Sequence, residues 1–411
     1  TTGSNNSAFG HETLRSLTTG SSNTALGKEA LRTVTTGGSN VAVGHDALKV
    51  NTNSGNTAVG ASALMANTTG GYQVAVGQQA LKANTTGVSN TAVGADAADA
   101  VTTGSYNTVL GWEALTACTT GEKNTAVGAE ALEAVTTGSD NCALGYIALR
   151  AVTTGNDNIG IGKWAGQSIT TADSNIAIGE RALYTVTTVS NHTAIGNNAL
   201  YANTTGGSNV AVGHESLKAN TTGWENVSIG TWAMLANTTG GFNTAVGYKS
   251  LDTNTTGSNN TAIGKRALQA NTTADNNTAL GYHAGFANTT GTGNTFIGRS
   301  AGITQTTQNS NTFVGGNSGE YSEGASNTAL GLYAMRSTNG SASGGNNVAI
   351  GANSLRVVST SSNTTCVGTS SGYSLTTGTN NVLVGSMSGY DMTAGYWNVA
   401  LGTSTLANVT T

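Results

Sequence analysis

The amino-acid sequence predicts an all-β protein that folds as a parallel β-solenoid, and two observations lead to this prediction. First, the 411 residues consist of one motif of about 17 residues repeated from end to end; the copy at 90–106 reads Asn-Thr-Ala-Val-Gly at its start and contains Thr-Thr-Gly near its end. Second, counted from that Asn, position 5 is glycine in all 24 copies. Such repeats usually stack, so that each turn covers the apolar face of the next.

The length of the motif decides between helical and β repeats. Helical repeats need roughly 33 residues or more, whereas this unit suits one turn of a β-coil. Positions 2 to 4, usually Thr/Val-Ala-Val/Ile, predict a short strand, and the structural glycine at position 5 (for example Gly10, Gly196 and Gly402) allows a bend that a side chain would forbid. We expect a second short strand at positions 8 to 12. With turns about 4.8 Å apart, the copies would form a rod of roughly 115 Å.

The repeat predicts a single elongated domain over residues 1–411. The spacing of the first position varies little, from 16 residues between Asn40 and Asn56 to 20 between Asn327 and Asn347. The longer copy carries an insertion within 332–346, which should bulge from one corner without breaking the stack. The chain contains no proline, as expected if most turns donate backbone hydrogen bonds to their neighbours.

Composition excludes several kinds of partner. Charged residues make up only 9% of the chain and the net charge is −4, so we expect neither nucleic-acid binding nor a basic membrane patch. The sequence has no apolar run long enough for membrane insertion. Three cysteines at unrelated repeat positions predict buried small residues and no disulfide framework. Because the chain opens in the middle of a repeat, we expect a processed or partial chain located outside the cell or on a virion.

Both faces of the predicted strand are suited to burial. Positions 2 and 4 share one face and are mostly Thr, Val, Ile or Leu, whereas position 3 faces the other way and is mostly Ala. One face must line the coil, so the other forms a long apolar or Thr-bearing strip, which monomers rarely expose. We therefore predict self-association, most simply as a parallel homotrimer. The Asn at position 1 predicts a stacked side-chain ladder from turn to turn.

Two kinds of copy differ at position 9. Most carry Leu there, but six carry glycine: Gly166, Gly285, Gly302, Gly319, Gly372 and Gly389. Three of these are followed by an aromatic residue (Phe286, Tyr373 and Tyr390). We expect the neighbouring aromatic ring to refill the space that the missing Leu leaves in the core.

The repeat resembles that of a known group of proteins. The string Asn-Thr-Ala-Val-Gly-x-x-Ala-Leu-x-x-Asn-Thr-Thr-Gly, and its variant at 294–302, resemble repeats of phage and bacterial tail-fibre-type proteins. They are also similar to the shorter repeats in the head of trimeric autotransporter adhesins. The resemblance covers essentially the whole chain. It implies a left-handed β-roll, trimeric assembly, and a role in surface attachment or as a fibre shaft.

We find no catalytic, cofactor-binding or metal-binding pattern in the sequence. The five histidines are scattered over distant copies, and the carboxylates fall mostly at positions 6, 7 and 10, which should be solvated corners. We therefore predict that the chain is not an enzyme and needs no cofactor. The best candidates for surface contacts, against the simpler interpretation of isolated corner packing, are aromatic residues at positions 6, 7, 16 and 17: Trp112, Trp164, Trp224, Trp232, Phe242, Tyr396 and Trp397.

The leading functional hypothesis is a non-enzymatic extracellular fibre or adhesin shaft. It would associate with copies of itself, and a cell-surface glycan or receptor is a further candidate partner. Two alternatives remain open. Columns of Thr at position 2, or in pairs such as Thr68-Thr69, could bind ice. A glycan-binding or glycan-degrading β-helix protein is the other alternative.

Overall fold

Short parallel strands, one in each repeat, organise the chain. The computed structural model describes residues 2–337 and 343–410, and it divides into two units, Thr1–Thr205 and Gly206–Thr411. Each unit is a parallel β-solenoid with twelve strands, and each strand covers positions 2 to 4 of its copy. The predicted all-β parallel solenoid is therefore confirmed. The handedness, the trimer and the single domain over 1–411 stay predictions.

The strands β1–β12 belong to the first unit and β13–β24 to the second. The bounds of β1–β12 are Ser7–Phe9, Thr24–Leu26, Val41–Val43, Thr57–Val59, Val74–Val76, Thr91–Val93, Thr108–Leu110, Thr125–Val127, Cys142–Leu144, Ile159–Ile161, Ile176–Ile178 and Thr193–Ile195. The bounds of β13–β24 are Val210–Val212, Val227–Ile229, Thr244–Val246, Thr261–Ile263, Thr278–Leu280, Thr295–Ile297, Thr312–Val314, Thr328–Leu330, Val348–Ile350, Thr365–Val367, Val382–Val384 and Val399–Leu401.

Register within each unit is strict, because equivalent repeat positions pair from turn to turn. In the first unit, Thr91 lies opposite Thr108 and Val93 opposite Leu110. The changes in repeat length do not disturb it. Strand β3 pairs with β4 across the 16-residue spacing, and β20 pairs with β21 across the 20-residue spacing. The predicted continuity of the stack at the insertion is confirmed, whereas the bulge itself falls partly on 338–342, outside the described residues.

Hydrogen bonds between turns continue beyond the strands. Leu115, at position 9, donates its N–H to the carbonyl of Ala131 at 3.0 Å. Thr119, at position 13, donates to the carbonyl of Thr136 at 2.9 Å. Since the described copies turn at positions 8 and 9 and have no strand within positions 8 to 12, the predicted second strand is wrong. The physical reason is the backbone conformation, because positions 7 and 9 have φ near +55°, which an extended strand cannot contain.

The glycine at position 5 makes the close stacking possible. Gly315 has φ +132°, a backbone conformation that residues with a Cβ rarely adopt. A Cβ at this position would also overlap the carbonyl of Gly331 in the next turn. The same overlap recurs at equivalent glycines along both units, for example at Gly94 against Gly111. This explains why no copy lacks the glycine.

The core of each turn is narrow and built from small residues. Position 3 points inward and is buried, and so are positions 8 and 9. Leu115 illustrates position 9: it is fully buried but holds φ +55°. A left-handed backbone costs a non-glycine residue roughly 1–2 kcal/mol, while burial of a Leu side chain contributes about 1.5–3 kcal/mol. The buried Leu therefore offsets its own backbone strain.

The copies with glycine at position 9 solve the same problem differently. Glycine adopts the left-handed conformation without strain, and in three of the six copies a large residue at position 3 (Phe296, Phe313 or Leu383) fills the vacated core space. A Cβ on Gly302 would collide with the ring of Phe296, and one on Gly319 with the ring of Phe313. The expectation that the adjacent aromatic refills the core is wrong, since Phe286, for example, is only half-buried at the surface. The inward strand residue occupies that space because it lies on the same level of the coil.

Buried asparagines at position 1 form the predicted ladder. The Nδ2 of Asn124 donates to the carbonyl of Gly138 in its own turn at 2.9 Å. Its Oδ1 accepts the backbone N–H of Asn141 at 3.1 Å and the Nδ2 of Asn141 at 3.2 Å. Each Asn thus closes its own turn and joins it to the next. This satisfies polar groups that would otherwise be buried without partners.

A second Asn ladder, which the sequence interpretation missed, follows position 12 in part of each unit; in the first unit the Nδ2 of Asn67 donates to the Oδ1 of Asn51 at 3.0 Å. The Nδ2 of Asn254 donates to the Oδ1 of Asn237 at 2.7 Å, and that of Asn271 donates to Asn254 at 2.8 Å. Elsewhere the same position carries buried apolar residues such as Val101 and Ile169. Because this column alternates between amide and apolar stretches, its pattern in the sequence looked like an unstructured connector.

We expect Gly315→Ala to destabilise the protein and Gly316→Ala to be nearly neutral. The first change forces Ala into a left-handed conformation, which alone costs about 1–3 kcal/mol, and places its Cβ against the next turn. Gly316 has no such φ restriction, and its Cβ would meet the flexible Leu332 side chain at 3.2 Å. Urea unfolding followed by circular dichroism measures both variants. Equal midpoints for the two would contradict the proposed role of position 5.

We expect Asn124→Ala to cost about 2–6 kcal/mol of stability. The change leaves the buried carbonyl of Gly138 and the N–H of Asn141 without their side-chain partner, at about 1–3 kcal/mol each. Asn197→Ala is the matched control, because Asn197 is half-buried at position 6 and lies outside the ladder. Thermal unfolding of both variants tests the ladder, and similar midpoints would show that it contributes little.

Candidate interaction surfaces

The outward face of the strands is the most regular surface of each unit. We define the outward face as the side chains at positions 2 and 4 of every strand, which point away from the core while position 3 points inward. None of these side chains is charged. Most position-4 side chains are half-buried or exposed, as Leu110 and Leu280 show. The predicted apolar strip is therefore present on each unit.

The size of the outward face exceeds what isolated exposed residues explain. Twelve turns spaced about 4.8 Å apart, with a three-residue strand about 10 Å long, give roughly 600 Å² per unit. The largest apolar patch on a typical monomer is about 300–600 Å² and is often functional. A strip of this extent, present on each of the two units, lies at the upper end of that range.

The threonine columns differ in how their hydroxyls are used. At position 13 the hydroxyl donates to the equivalent carbonyl of the next turn, as Thr136 does to Thr153 at 3.1 Å. These groups strengthen the stack. At position 2 the Thr side chains lie on the outward face in six successive turns of the second unit, from Thr244 to Thr328. The ice-binding alternative, which named position 2 and the Thr pairs of the turn, stays a prediction; the second Thr of each pair is exposed, as Thr69 and Thr86 show.

A corner formed by positions 6, 7 and 10 carries most of the charge. We refer to it as the charged corner. In the early turns its charges are paired. The Oε2 of Glu29 lies 2.7 Å from the Nζ of Lys49 and 2.9 Å from the Nη1 of Arg32. The hydrogen bond from Lys49 is the main reason that the pKa of Glu29 is lowered. The expectation of simple solvated carboxylates is thus incomplete, because this corner also links successive turns.

Three successive turns of the first unit carry an acidic stretch of the charged corner, consisting of Asp96, Asp99, Glu113, Glu130 and Glu133. Desolvation raises the pKa of Asp99, and the negative charge of Asp96 adds to the shift. Desolvation likewise raises the pKa of Glu113, followed by repulsion from Glu133 and Asp96. The stack therefore holds like charges together that the unfolded chain would separate.

The seven candidate aromatic residues fall on two different corners of the repeat. Trp112, Trp164 and Trp232 belong to the charged corner. Of these, Trp112 is exposed, whereas the ring of Trp164 lies between Lys163, with Nζ 3.8 Å from the ring centroid, and Arg181 at 4.6 Å. Trp232 is half-buried and donates its Nε1–H to Glu215 at 3.0 Å. These two indoles are already engaged within the chain.

The other four candidates lie at positions 16 and 17, just after the Thr-Thr-Gly turn. Trp224 and Phe242 are exposed, and the backbone N–H of Phe242 donates to the carbonyl of Trp224 at 3.0 Å. Tyr396 and Trp397 are consecutive and exposed, with 78% of Trp397 accessible. The seven candidates therefore lie on two corners and do not form one site.

An aromatic and cationic stretch of the charged corner was missed by the sequence interpretation. It includes Tyr248, Lys265, Tyr282 and Arg299, all at position 6 of successive copies in the second unit. The signal was available as an alternation of aromatic and cationic residues in one column. It escaped notice because these residues are 17 apart in the sequence and only the stack makes them neighbours.

Two further features bear on chemistry. A groove of about 350 Å³ on the first unit is lined by Glu133, Ala134, Arg150, Ala151, Gln167 and Ser168. Its acidic residue, Glu133, and its basic residue, Arg150, form an ion pair with each other.

Within residues 2–337 and 343–410, no group of three or more His, Cys, Asp or Glu side chains could hold a metal ion.

The cysteines are consistent with the predicted absence of a disulfide framework. Cys118, Cys142 and Cys366 are free thiols, and Cys118 and Cys366 are buried. Burial raises the pKa of Cys118 to about 11 and that of Cys366 to about 12, so both are unreactive thiols at neutral pH. Cys142 is half-buried and lies on the outward face, where the prediction of a buried residue is only partly met.

Comparison with known proteins adds no family assignment. No protein-family model matches this chain, and no curated protein sequence matches it. The resemblance to tail-fibre-type repeats therefore stays a prediction from the motif. In the described part of the chain, no helix has the length and apolar character needed to cross a membrane.

We expect Glu113→Gln to raise the thermal midpoint at pH 7, because it removes a carboxylate whose charged form the folded state disfavours. Since the pKa of Glu113 is raised on folding, the folded chain binds this proton more tightly, and stability falls as pH rises from the ordinary carboxyl pKa through the raised one. The gain should therefore vanish below about pH 3. Glu122→Gln, at an exposed position on another corner, is the control, and equal gains in both variants would contradict the explanation.

Proposed function

We propose that this protein is a non-enzymatic structural component of an extracellular attachment fibre, and that copies of it associate side by side through the outward face. The observation that carries the proposal is the uncharged strip of positions 2 and 4, which continues through every turn of each unit. Burying such a strip would stabilise an assembly by about 25 cal/mol for each Å² of apolar surface removed from water. The resemblance of the repeat to tail-fibre-type proteins points in the same direction.

A second copy is the partner that suits the outward face best. The strip repeats at the spacing of the turns, so an identical strip in register would meet it with the same spacing of side chains. Its estimated area per unit approaches the roughly 800 Å² that each partner buries in a standard interface. We propose a parallel homotrimer, because closed cyclic symmetry would bury the face of every copy equally.

Mechanical continuity supports the structural role. Backbone hydrogen bonds join consecutive turns at many positions, including those outside the strands. Buried Asn side chains tie each turn both to itself and to the next. A local opening must therefore break several bonds at once, which favours resistance to proteolysis. We propose that a protein that acts in attachment outside the cell needs this resistance.

The assembly is tested by the native mass. We expect a mass of about 123 kDa by analytical ultracentrifugation, three times the 40.9 kDa of the chain. Val93→Lys with Val127→Lys, both on the outward face, should reduce the mass to that of the single chain, because buried unpaired charges are costly. Thr86→Lys with Thr120→Lys adds the same charge at exposed positions of the turn and should leave the mass unchanged.

Circular dichroism must show that all these variants remain folded. A wild-type protein that is a single chain at micromolar concentration would contradict the proposed self-association. So would an outward-face variant that keeps the wild-type mass. A stable dimer whose mass falls in the same variant would retain the interface and reject the trimer.

A further inference from the structure

The charged corner of the second unit carries an alternating column of rings and cations. At position 6, Tyr248, Lys265, Tyr282 and Arg299 follow one another in four successive turns, which are about 4.8 Å apart. The Nζ of Lys265 lies 5.8 Å from the ring centroid of Tyr248 and 5.9 Å from that of Tyr282. All four side chains are exposed.

A second column at position 7 broadens this surface. The Nζ of Lys249 lies 5.0 Å from the ring centroid of Trp232, and the rings of Trp232 and Tyr248 are 5.6 Å apart. Further along, the imidazole of His283 stacks on Tyr282 with 3.9 Å between centroids. The two columns together form what we call the aromatic–cationic corner, extending from Trp232 to Arg299.

Three of the four Lys and Arg side chains of this corner are available to a ligand, and the fourth, Lys249, is paired with Asp252. Within the described residues, no carboxylate lies within ion-pair distance of Lys265, Arg266 or Arg299. Other ion pairs of this unit involve basic residues outside the corner, such as Arg336 with Glu320. In addition, the Nε of Arg266 is buried and has no hydrogen-bond partner among these residues.

The local potential is positive despite the acidity of the chain. Burial lowers the pKa of His283, and the neighbouring charges of Arg266 and Lys265 lower it further. The same corner in turns of the first unit carries Asp96, Glu113 and Glu130 instead. The cationic stretch is therefore a local feature of four or five turns and not a general property of the repeat.

We propose that the aromatic–cationic corner binds a linear anionic polysaccharide, with sugar faces on the tyrosine rings and carboxylate or sulfate groups on Lys265, Arg266 and Arg299. This inference rests on the proposed attachment function. It adds the class of surface polymer to which the protein would attach. Rings favour sugars because apolar C–H faces pack on them, and the unpaired cations supply the selection for negative charge.

Nucleic acid is the competing polyanion, and the chain does not favour it. Nucleic-acid-binding domains usually have a pI above about 9, whereas the pI here is about 5.7. The remaining acidic surface would repel a long phosphate backbone wherever the polymer left the corner. A polysaccharide with spaced charges meets less of this repulsion.

The charge contribution is tested with two matched double variants. Lys265→Gln with Arg299→Gln removes two exposed cations of the corner, and Arg15→Gln with Lys28→Gln removes two exposed cations of the first unit. Binding of dextran sulfate and of polygalacturonate is measured by calorimetry at low salt, with neutral dextran for comparison. We expect wild type to bind at least one anionic polymer and not dextran. The corner variant should bind about ten-fold more weakly, and the control variant should match wild type.

The ring contribution is tested without changing charge. Tyr282→Ser removes a ring of the corner, and Tyr146→Ser removes one at the same repeat position in the first unit, where the exposure is also 45%. We expect Tyr282→Ser alone to weaken binding of the anionic polysaccharide about five-fold. Binding of inorganic polyphosphate, which has no apolar face, should be the same in both variants.

Several outcomes would overturn the inference. These are tighter binding of single-stranded DNA than of either polysaccharide, equal losses in the corner and control variants, or an unchanged affinity in Tyr282→Ser. Circular dichroism and thermal midpoints ensure that a loss does not reflect unfolding. The test is separate from that of self-association: a single chain that binds the polymer rejects only the assembly, and an assembled protein that does not bind rejects only this inference.

Discussion

Hydrogen bonding between consecutive turns is the constraint on which the rest of this protein depends. The backbones of neighbouring turns approach so closely at position 5 that a Cβ on Gly94 or Gly315 would overlap a carbonyl of the next turn. Glycine removes that obstacle and permits the left-handed bend that follows the strand. Buried amides such as Asn124 then complete the pairing where the backbone alone cannot. Absence of proline from the whole chain fits the same requirement, because each turn donates N–H groups along most of its length.

The narrow interior leaves little freedom for side chains. Position 3 is mostly Ala when position 9 is Leu, and it is Phe or Leu in three of the six copies with glycine at position 9, as Phe296 and Gly302 show. In those three copies the two positions compensate each other, since close-packed cores tolerate changes that conserve volume far better than those that do not. The same pair also affects backbone strain at position 9, because glycine adopts the left-handed conformation there without strain, whereas Leu115 and its equivalents hold it as non-glycine residues.

Variation is concentrated where the stack does not constrain it. The charged corner is paired in the early turns, acidic around Glu113, and aromatic and cationic around Lys265. The outward face, in contrast, stays uncharged throughout. A regular scaffold with a constant face for association and variable corners for ligands is a reasonable basis for the attachment function that we propose. The corners can change chemistry because their side chains enter neither the core nor the hydrogen-bond ladders.

The sequence by itself determined the repeat, the strand at positions 2 to 4, the orientation of its two faces and the Asn ladder at position 1. Each of these leaves a periodic signal, because an invariant physical requirement acts on every copy. Only the tertiary structure showed that positions 8 to 12 turn and do not form a strand, since the left-handed conformation of Leu115 has no signature in its residue type. The same holds for the contact of Lys265 with Tyr248 and Tyr282: residues 17 apart become neighbours only when the turns stack.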